Sequence, residues 1–260
     1  MQNIFDNEQF FSGYQELRRK EQNSNDLIID PALAALLPDL SGKTVLDLSC
    51  GDGKHCADFI VRGAKTVVGI DISEKMLQIA QTQNANDAIR YIKMSMTDIA
   101  GLQETFDFIY SNMAFHYIED FAAFAKTLFN ILNPGGLLLF SQEHPVITAT
   151  IDGKGHFNKS LSGKKLSYVF SDYGIPGERV TRWFVDGVVK YHRRISDILN
   201  VLTDAGFVIE RVEEPLPEKW VIEKYPTYAD ELIKPTFLLV KVRKEKNTIL
   251  SEHVQGVLTL

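Results

Sequence analysis

The strongest constraint on the fold is a stretch between Pro38 and Pro134 that contains no proline and alternates short β-like runs with helical patterns. This alternation is typical of βαβ units, in which helices join parallel strands and cover the sheet. The run at residues 137–140 is wholly apolar, as expected for a strand buried on both faces. The sequence therefore predicts an α/β protein with a doubly wound, seven-stranded, mostly parallel sheet and helices on both faces.

The predicted elements follow from apolar periods of two residues for strands and about 3.6 for helices. Strands are expected at residues 44–48, 66–70, 89–94, 106–110, 137–140, 207–212 and 237–242. Helices are expected at 53–62, after Ser73, at 121–132 and at 195–205. Gly63 and Gly206 stand where the first and last of these helices end.

Residues 146–192 interrupt this order, because they are rich in glycine, lysine and aromatic residues and lack a helical period. Short β-like runs predict a β-rich insertion between strands five and six. Ligands of open α/β sheets bind outside the carboxyl ends of the strands, so we expect the insertion to cover a substrate and to leave cofactor affinity nearly unchanged. The alternative is a β-ribbon that only packs. We expect one domain over residues 1–260, with an N-terminal helical segment at 1–26.

Composition excludes several classes of protein. The chain has 28 Lys and Arg against 34 Asp and Glu, a formal charge of −6, which disfavours a nucleic-acid binder. No apolar run approaches the roughly 18 residues of a membrane span, and the N-terminus lacks a signal-peptide pattern. We therefore expect a cytoplasmic protein without a membrane partner. Cys50 and Cys56 are expected to be reduced thiols; with His55 they lack a second ligand pair for zinc, so no metal is predicted.

The most informative motif joins the first strand to the helix after it. Asp47 lies at the end of the strand, and Ser49, Gly51 and Gly53 form a turn that opens the helix. Glycine allows the backbone to approach a ligand closely. Asp71, which lies 18 residues after Gly53 and just past the second strand, can accept hydrogen bonds from two ribose hydroxyls. The pattern predicts a cofactor that contains adenosine.

Two cofactors fit this description to different degrees. A dinucleotide site requires G-x-G-x-x-G, but Cys56 stands in place of the third glycine. Asp47 would repel a pyrophosphate, whereas it suits the positive sulfonium and amino groups of S-adenosylmethionine. The residues therefore favour S-adenosylmethionine, and a nicotinamide-dependent oxidoreductase is the disfavoured alternative.

In order and spacing, these motifs resemble those of the S-adenosylmethionine-dependent methyltransferases with the seven-stranded Rossmann-like fold. The matching segments are VLDLSCGDG at 45–53, VGIDIS at 68–73 with Met76 and Leu77, FDFI at 106–109 and LNPGG at 132–136. The resemblance covers about residues 27–145 closely and 194–242 more loosely. It implies methyl transfer to a small-molecule acceptor. A non-catalytic module that binds S-adenosylmethionine is the alternative.

The resemblance also implies roles for single residues. Asp47, Ser49, Gly51 and Gly53 would line the methionine part of the cofactor, and Asp71 would hold its ribose. Ile72 and Met76 would lie beside the adenine, and Ser95 and Met96 would lie at its edge. Ser111 would lie near the transferable methyl group.

The sequence departs from the family at two of these positions. The resemblance also implies a role for the N-terminal helix. Ser49 stands where the family usually has glycine, and Ser95 where it often has aspartate, so adenine recognition would rely on backbone groups. In similar methyltransferases a leading helix folds over the cofactor, which would bring Tyr14 and Arg18 to its carboxylate. The alternative for this segment is a surface helix.

Methyl transfer from a sulfonium is an in-line displacement, so the enzyme mainly aligns and desolvates the nucleophile and a general base is optional. His116 and His144 follow strand ends on the ligand side and are the predicted catalytic residues, with Glu143 and His192 as further candidates.

The insertion has a charge of its own. From Asp152 to Arg194 it carries nine basic and four acidic residues in an otherwise acidic chain, which predicts an anionic acceptor. The predicted substrate-binding residues are Arg179, Arg182, Trp183 and Tyr191. Arginine beside aromatic residues also suits RNA, but no RNA-binding module accompanies them, so a small molecule is favoured.

Overall fold

Eleven strands occur in the computed structural model, which describes residues 2–20, 22–153 and 155–246. In chain order they are β1 (Thr44–Leu48), β2 (Thr66–Asp71), β3 (Ile89–Lys93), β4 (Phe106–Ser111), β5 (Leu132–Glu143), β6 (His156–Lys159), β7 (Lys165–Val169), β8 (Gly177–Trp183), β9 (Val185–His192), β10 (Phe207–Glu213) and β11 (Phe237–Lys244). The end of the expected domain, residues 247–260, lies outside the described part of the chain.

Seven of the strands form one sheet in the order β10-β11-β5-β4-β1-β2-β3. β11 pairs antiparallel with β10 and β5, and the other neighbours are parallel. This order reverses between β1 and β4, which is where open α/β sheets bind ligands. The predicted seven-stranded, mostly parallel sheet is confirmed.

Helices cover both faces of this sheet, as predicted. They are α1 (Glu8–Arg19), α2 (Asp30–Leu36), α3 (Lys54–Val61), α4 (Glu74–Gln83), α5 (Phe121–Ile131), α6 (Pro145–Thr148), α7 (Ile195–Asp204) and α8 (Lys219–Lys224). Alternate side chains of β1 point to opposite faces: Leu46 joins the core beneath α5 and α7, whereas Val45 joins the core beneath α2 and α3. None of the helices in the described ranges has the length and apolar character that a bilayer span requires.

The insertion between β5 and β10 consists of two hairpins, so its predicted β-rich character is confirmed. β6 pairs with β7, and β8 pairs with β9. The second hairpin turns at Phe184, which has a left-handed φ of 59°. That conformation is costly for an aromatic residue and persists only where surrounding contacts enforce it.

Those contacts come from the N-terminal segment. The rings of Phe10 and Tyr14 meet the hairpin edge to face: Phe10 contacts Trp183, with centroids 5.2 Å apart, and Phe184, and Tyr14 contacts Trp183. Phe5 packs edge to face against Phe10 and Tyr14 from behind. We call these five residues the aromatic lid. Phe10 is fully buried in it. A Cβ atom at Gly13 would lie 2.6 Å from the Phe184 ring, so helix α1 approaches the hairpin this closely only because residue 13 is glycine.

Arg179 fastens the second hairpin to the chain that leaves β5. Its side chain is 3% exposed. The guanidinium donates hydrogen bonds to five backbone carbonyls, those of Thr148, Ala149, Ile175, Gly177 and Glu178, at 2.6–3.4 Å. Every nitrogen of the group is thus occupied by the fold. The prediction that Arg179 binds substrate is not supported by this placement, because the guanidinium has no donor left for a ligand.

We predict that Arg179→Met lowers the free energy of unfolding by about 3 kcal/mol, since it leaves several buried carbonyls without a donor. Urea denaturation would measure this. Arg182→Met is the matched control, because Arg182 is exposed and lies 3.6 Å from Asp186 in a surface ion pair; it should change stability by less than about 0.5 kcal/mol. Equal effects of the two substitutions would contradict the anchoring role.

Candidate active site

A cavity of about 310 Å³ lies at the carboxyl edge of the sheet, beneath the aromatic lid. The loops after β1, β2 and β4 and the end of β5 supply its floor, because neighbouring parallel strands end at the same edge. The structure brings together ten of the predicted site residues in its lining: Tyr14, Arg18, Ser49, Gly51, Asp71, Ile72, Met76, Met96, His116 and Trp183.

The turn after β1 exposes backbone to this cavity. Ser49 and Gly51 both have left-handed φ angles, of 60° and 56°. The turn thus accommodates a side chain at residue 49, as the sequence required. A Cβ atom at Gly51 would lie 3.2 Å from Met76 Cε, so a larger residue at position 51 would press on the cavity wall.

Asp71 closes the turn from the neighbouring strand. Its carboxylate accepts hydrogen bonds from the Gly51 N–H at 2.9 Å and the Ser73 N–H at 2.8 Å. Burial raises the pKa of Asp71 to about 6, although these two N–H groups act in the opposite direction. A buried carboxylate that also lines the cavity fits the paired hydroxyls of a ribose.

Asp47, by contrast, lies beneath the cavity floor and not in its lining. It is 1% exposed, and its Oδ2 accepts a hydrogen bond from the Cys56 thiol at 3.3 Å. Burial, together with the neighbouring charges of Asp71 and Asp52, raises the pKa of Asp47 to about 8, although the hydrogen bond from Cys56 acts in the opposite direction. The side chain is therefore mostly neutral at pH 7, which differs from the expected direct contact between an anionic Asp47 and a cationic ligand.

Three other residues expected at the cofactor also lie outside the cavity lining. Gly53 is required by packing, since a Cβ atom there would lie within 2.3 Å of the Tyr91 hydroxyl. Ser95 Oγ accepts a hydrogen bond from the Thr97 N–H, and Ser111 Oγ donates to the Leu48 carbonyl at 2.9 Å. These positions shape the loops that carry the site.

The leading helix α1 lies over the cavity, and Tyr14 and Arg18 line it. Burial raises the pKa of Tyr14 to about 12, so this hydroxyl stays protonated. Arg18 Nη1 lies 3.5 Å from Asn23 Oδ1. Contact of these two side chains with the cofactor's carboxylate remains a prediction.

The two histidines predicted to be catalytic are placed differently. His116 lines the cavity, and burial lowers its pKa to about 4, so the ring is neutral at pH 7. His144 is outside the lining; its Nδ1 accepts from the Val146 N–H at 3.1 Å and its Nε2 contacts Glu214 Oε1 at 2.8 Å. Both ring nitrogens of His144 are thus occupied, which leaves none to act as a base on a ligand.

Among the predicted substrate residues, Trp183 is in the cavity lining, whereas Arg179, Arg182 and Tyr191 are outside it. Tyr191 borders a separate cavity of about 290 Å³, where its hydroxyl lies 3.4 Å from Glu119 Oε2. Arg179 and Arg182 make the contacts described above. Their positions do not support the prediction of an anionic acceptor, because neither arginine lines the cavity.

The sequence did not reveal a polar chain that supports the cavity floor. Ser141 Oγ donates to Asn112 Oδ1 at 2.6 Å, and Asn112 Nδ2 donates to Asp30 Oδ1 at 3.2 Å. Asn112 directly follows β4, so its place after a strand end was a usable signal. Among the described residues, no group of three or more His, Cys, Asp or Glu side chains is arranged to hold a metal ion.

Comparison with known proteins agrees with this geometry. A family described as a methyltransferase domain matches residues 46–140. An S-adenosylmethionine-dependent methyltransferase from Mesorhizobium loti has a crystal structure that is 38% identical, with a TM-score of 0.76, over 82% of this chain and 96% of that chain. A Haemophilus influenzae protein described as uncharacterized is 36% identical over 250 residues, 93% of this chain and 96% of that protein. A ubiquinone biosynthesis O-methyltransferase from Sinorhizobium medicae is 29% identical over 193 residues, 71% of this chain and 69% of that protein.

The chain belongs to the S-adenosylmethionine-dependent methyltransferases. It is an enzyme, its cofactor is S-adenosylmethionine, and its reaction is methyl transfer. Neither alternative, the nicotinamide-dependent oxidoreductase or the non-catalytic binding module, receives support. Cys56 stands where the dinucleotide-binding motif G-x-G-x-x-G has its third glycine, and its side chain is buried against Asp47.

We predict that Asp47→Asn stabilises the fold increasingly as pH rises from 5 to 8. The folded pKa of about 8 exceeds the ordinary value of 3.8, so between pH 5 and 8 the folded wild type keeps a proton that the unfolded chain has already lost. Its free energy of unfolding therefore falls, by up to about 1.4 kcal/mol per pH unit for one proton.

Urea midpoints of the two proteins across this pH range would measure the effect. Asp71, whose pKa burial raises to about 6, is present in both proteins, so the difference between them reports Asp47 together with its electrostatic coupling to Asp71. A constant difference between the midpoints would contradict a protonated Asp47.

Proposed function

We propose that this enzyme methylates a small-molecule acceptor, which binds at the β5 end of the cavity while S-adenosylmethionine lies over β1 and β2. One observation carries the proposal: a single cavity beneath the aromatic lid is lined by Gly51 and Asp71 and also by Glu143. Asp71 ends β2 and Glu143 ends β5, which is three strands away in the sheet. Three strand spacings correspond to about 14 Å, which leaves room for an acceptor beside the cofactor. The aromatic lid covers this edge, which favours a small acceptor over a polymer.

The cofactor contacts follow from the lining residues. Asp71 would accept the ribose hydroxyls, and the backbone at Ser49 and Gly51 would bind the methionine part. Ile72, Met76 and Met96 form the apolar wall against which an adenine would pack. Arg18 from α1 would then pair with the carboxylate of the methionine part.

In the reaction, the bound cofactor supplies an activated methyl group on a sulfonium. The chain's own residues hold the acceptor in line with that group and exclude water. Tyr14, Trp183 and Phe237 supply apolar walls. No strong base is needed if the attacking atom of the acceptor has a free lone pair before it loses a proton. His116 is neutral and, with its lowered pKa, is a weak base.

The insertion would contribute to both ends of the site. Trp183 lines the cavity, and it also packs against Phe10 and Tyr14 of the N-terminal segment. A change at the hairpin tip would therefore disturb Tyr14 and Arg18 as well as the acceptor. We accordingly revise the expectation that the insertion leaves cofactor affinity unchanged.

We also propose that the enzyme works in the cytoplasm. Cys50 and Cys56 are free thiols, and both sulfurs lie against Gly69, where an added Cβ atom would be 3.0 and 2.9 Å from them. Two adjacent reduced thiols are typical of a reducing compartment.

We predict that Asp71→Asn weakens binding of S-adenosylhomocysteine by about tenfold to a hundredfold at pH 7.5, because two hydroxyls lose a charged acceptor. Wild-type affinity should increase as pH rises from 5 to 7, since ionisation of Asp71 with a pKa of about 6 creates that acceptor. The variant should lack this dependence. Isothermal titration calorimetry would measure both effects.

Asp98→Asn is the matched control, because Asp98 is an exposed carboxylate in the loop after β3 and lies outside the cavity lining. It should leave affinity and its pH profile unchanged. Normal affinity in a folded Asp71→Asn variant would refute the cofactor assignment.

A further inference from the structure

A buried ion pair stands at the β5 end of the cavity, apart from the proposed cofactor contacts. Glu143 Oε1 accepts a hydrogen bond from Lys190 Nζ at 2.6 Å, and the two side chains are 16% and 10% exposed. Glu143 is the last residue of β5 and lines the cavity. Lys190 lies on the buried face of β9 between Val188 and His192, which are essentially unexposed.

Stability alone does not explain this pair. Burying two charges costs about as much as their attraction returns, and apolar residues of similar size often serve equally well. The ammonium of Lys190 also lies 5.6 Å from the Trp183 ring centroid, so the lysine is held between Glu143 and the lid. Lys190 binds one carboxylate oxygen of Glu143; in the described part of the chain, Oε2 has no such partner and remains open to a ligand.

His116 adds a hydrogen-bond donor to the same end of the cavity. Its Nδ1 accepts a hydrogen bond from the backbone N–H of Glu143 at 3.3 Å. Because the ring is neutral, this bond assigns its proton to Nε2. The acceptor end thus contains a carboxylate oxygen that accepts and an imidazole N–H that donates.

The charges of the cavity lining as a whole disfavour an anion. Lys190 is already paired with Glu143, and the lining includes the carboxylates of Asp52, Asp71 and Glu143 against the guanidinium of Arg18. Arg18 is on α1, near Asn23, where we place the cofactor's carboxylate. An acceptor carboxylate or phosphate would therefore meet the carboxylate of Glu143, and among the described lining residues Arg18 is the only lysine or arginine.

We propose that Glu143 accepts a hydrogen bond from an N–H or O–H group of the acceptor, that Lys190 positions this carboxylate, and that the acceptor is an uncharged or cationic donor molecule. The inference rests on the proposed function, because it places the acceptor at the β5 end. Aromatic walls from Tyr14, Trp183 and Phe237 suit a flat ring.

The transfer step balances with these groups. The acceptor's nitrogen or oxygen lone pair forms the bond to the methyl carbon, and the electron pair of the broken carbon–sulfur bond stays with sulfur. The acceptor's proton is then released to solvent. Glu143 orients this proton without keeping it, since Lys190 lowers the pKa of the Glu143 carboxyl.

Three probes test the proposal on protein saturated with S-adenosylhomocysteine: benzimidazole, which has an N–H donor; 1-methylbenzimidazole, which has none; and benzoate, an anion. Ligand-detected NMR would give their dissociation constants at pH 7.5. We expect benzimidazole to bind about tenfold more tightly than either of the others, as a hydrogen bond to a charged group implies.

Variants then separate the two residues. The double variant Glu143→Leu with Lys190→Met replaces the pair with apolar side chains and should abolish the preference for benzimidazole. Lys190→Met alone should reduce it and raise the pKa of Glu143, read from the pH dependence of its labelled carboxyl resonance. His116 and Lys234 also influence this pKa and are unchanged in the variant. Lys165→Met, which breaks the ion pair between β7 of the insertion and Asp230 in the segment before β11, is the matched control and should change neither quantity.

The outcomes are distinct. Binding of benzoate as tight as that of benzimidazole, retention of the preference in the double variant, or failure of all three probes to bind would overturn the inference. In each of these cases normal affinity for S-adenosylhomocysteine would leave the proposed function intact. If Asp71→Asn bound S-adenosylhomocysteine as tightly as the wild type, that result would instead refute the proposed function itself.

Discussion

Rings from the N-terminal segment and from the tip of the second hairpin interlock above the carboxyl edge of the sheet, and the site depends on this contact. The edge alone would be an open groove, as the ends of parallel strands are in any doubly wound sheet. The aromatic lid turns the groove into a cavity with one roof over both ends. The contact also explains the left-handed backbone at Phe184 and the need for glycine at residue 13. The roof thus consists of two segments that are distant in sequence, the N-terminal segment and the tip of the second hairpin.

Much of the fold was predictable because it depends on local patterns. The strand at 44–48 and the helix after Ser73 follow from side-chain periodicity and from a capping hydroxyl, which accepts the Met76 N–H at 3.2 Å in the structure. The turn at Ser49 and Gly51 was equally legible, since glycine near a strand end has a direct conformational meaning. For the same reason ten of the predicted site residues lie around one cavity.

The remaining features depend on contacts between segments far apart in the chain, which a local pattern does not encode. The sequence predicted that Arg179 binds a substrate, but its guanidinium is saturated by backbone carbonyls of residues 148–149 and 175–178. Asp47 has the expected position in sequence, yet its side chain points to Cys56 beneath the cavity floor. Lys190 meets Glu143 across 47 residues because alternation along β9 turns it to the buried face. The position of His116 and Glu143 after strand ends pointed to this end of the site from the sequence, but their partner Lys190 did not follow from a local pattern.

The central claim is that the two ends of the cavity bind different ligands. The cofactor lies over β1 and β2, and its methyl group faces the loop after β4 and the end of β5, where the acceptor binds. Binding of S-adenosylmethionine labelled with carbon-13 in its transferable methyl group tests this most directly, by isotope-filtered nuclear Overhauser spectroscopy. The account predicts contacts from the methyl protons to the ring protons of His116 and Tyr117, both of which line the cavity. Contacts from the methyl protons to Ile72 and Met96 instead, with none to the loop after β4, would contradict it.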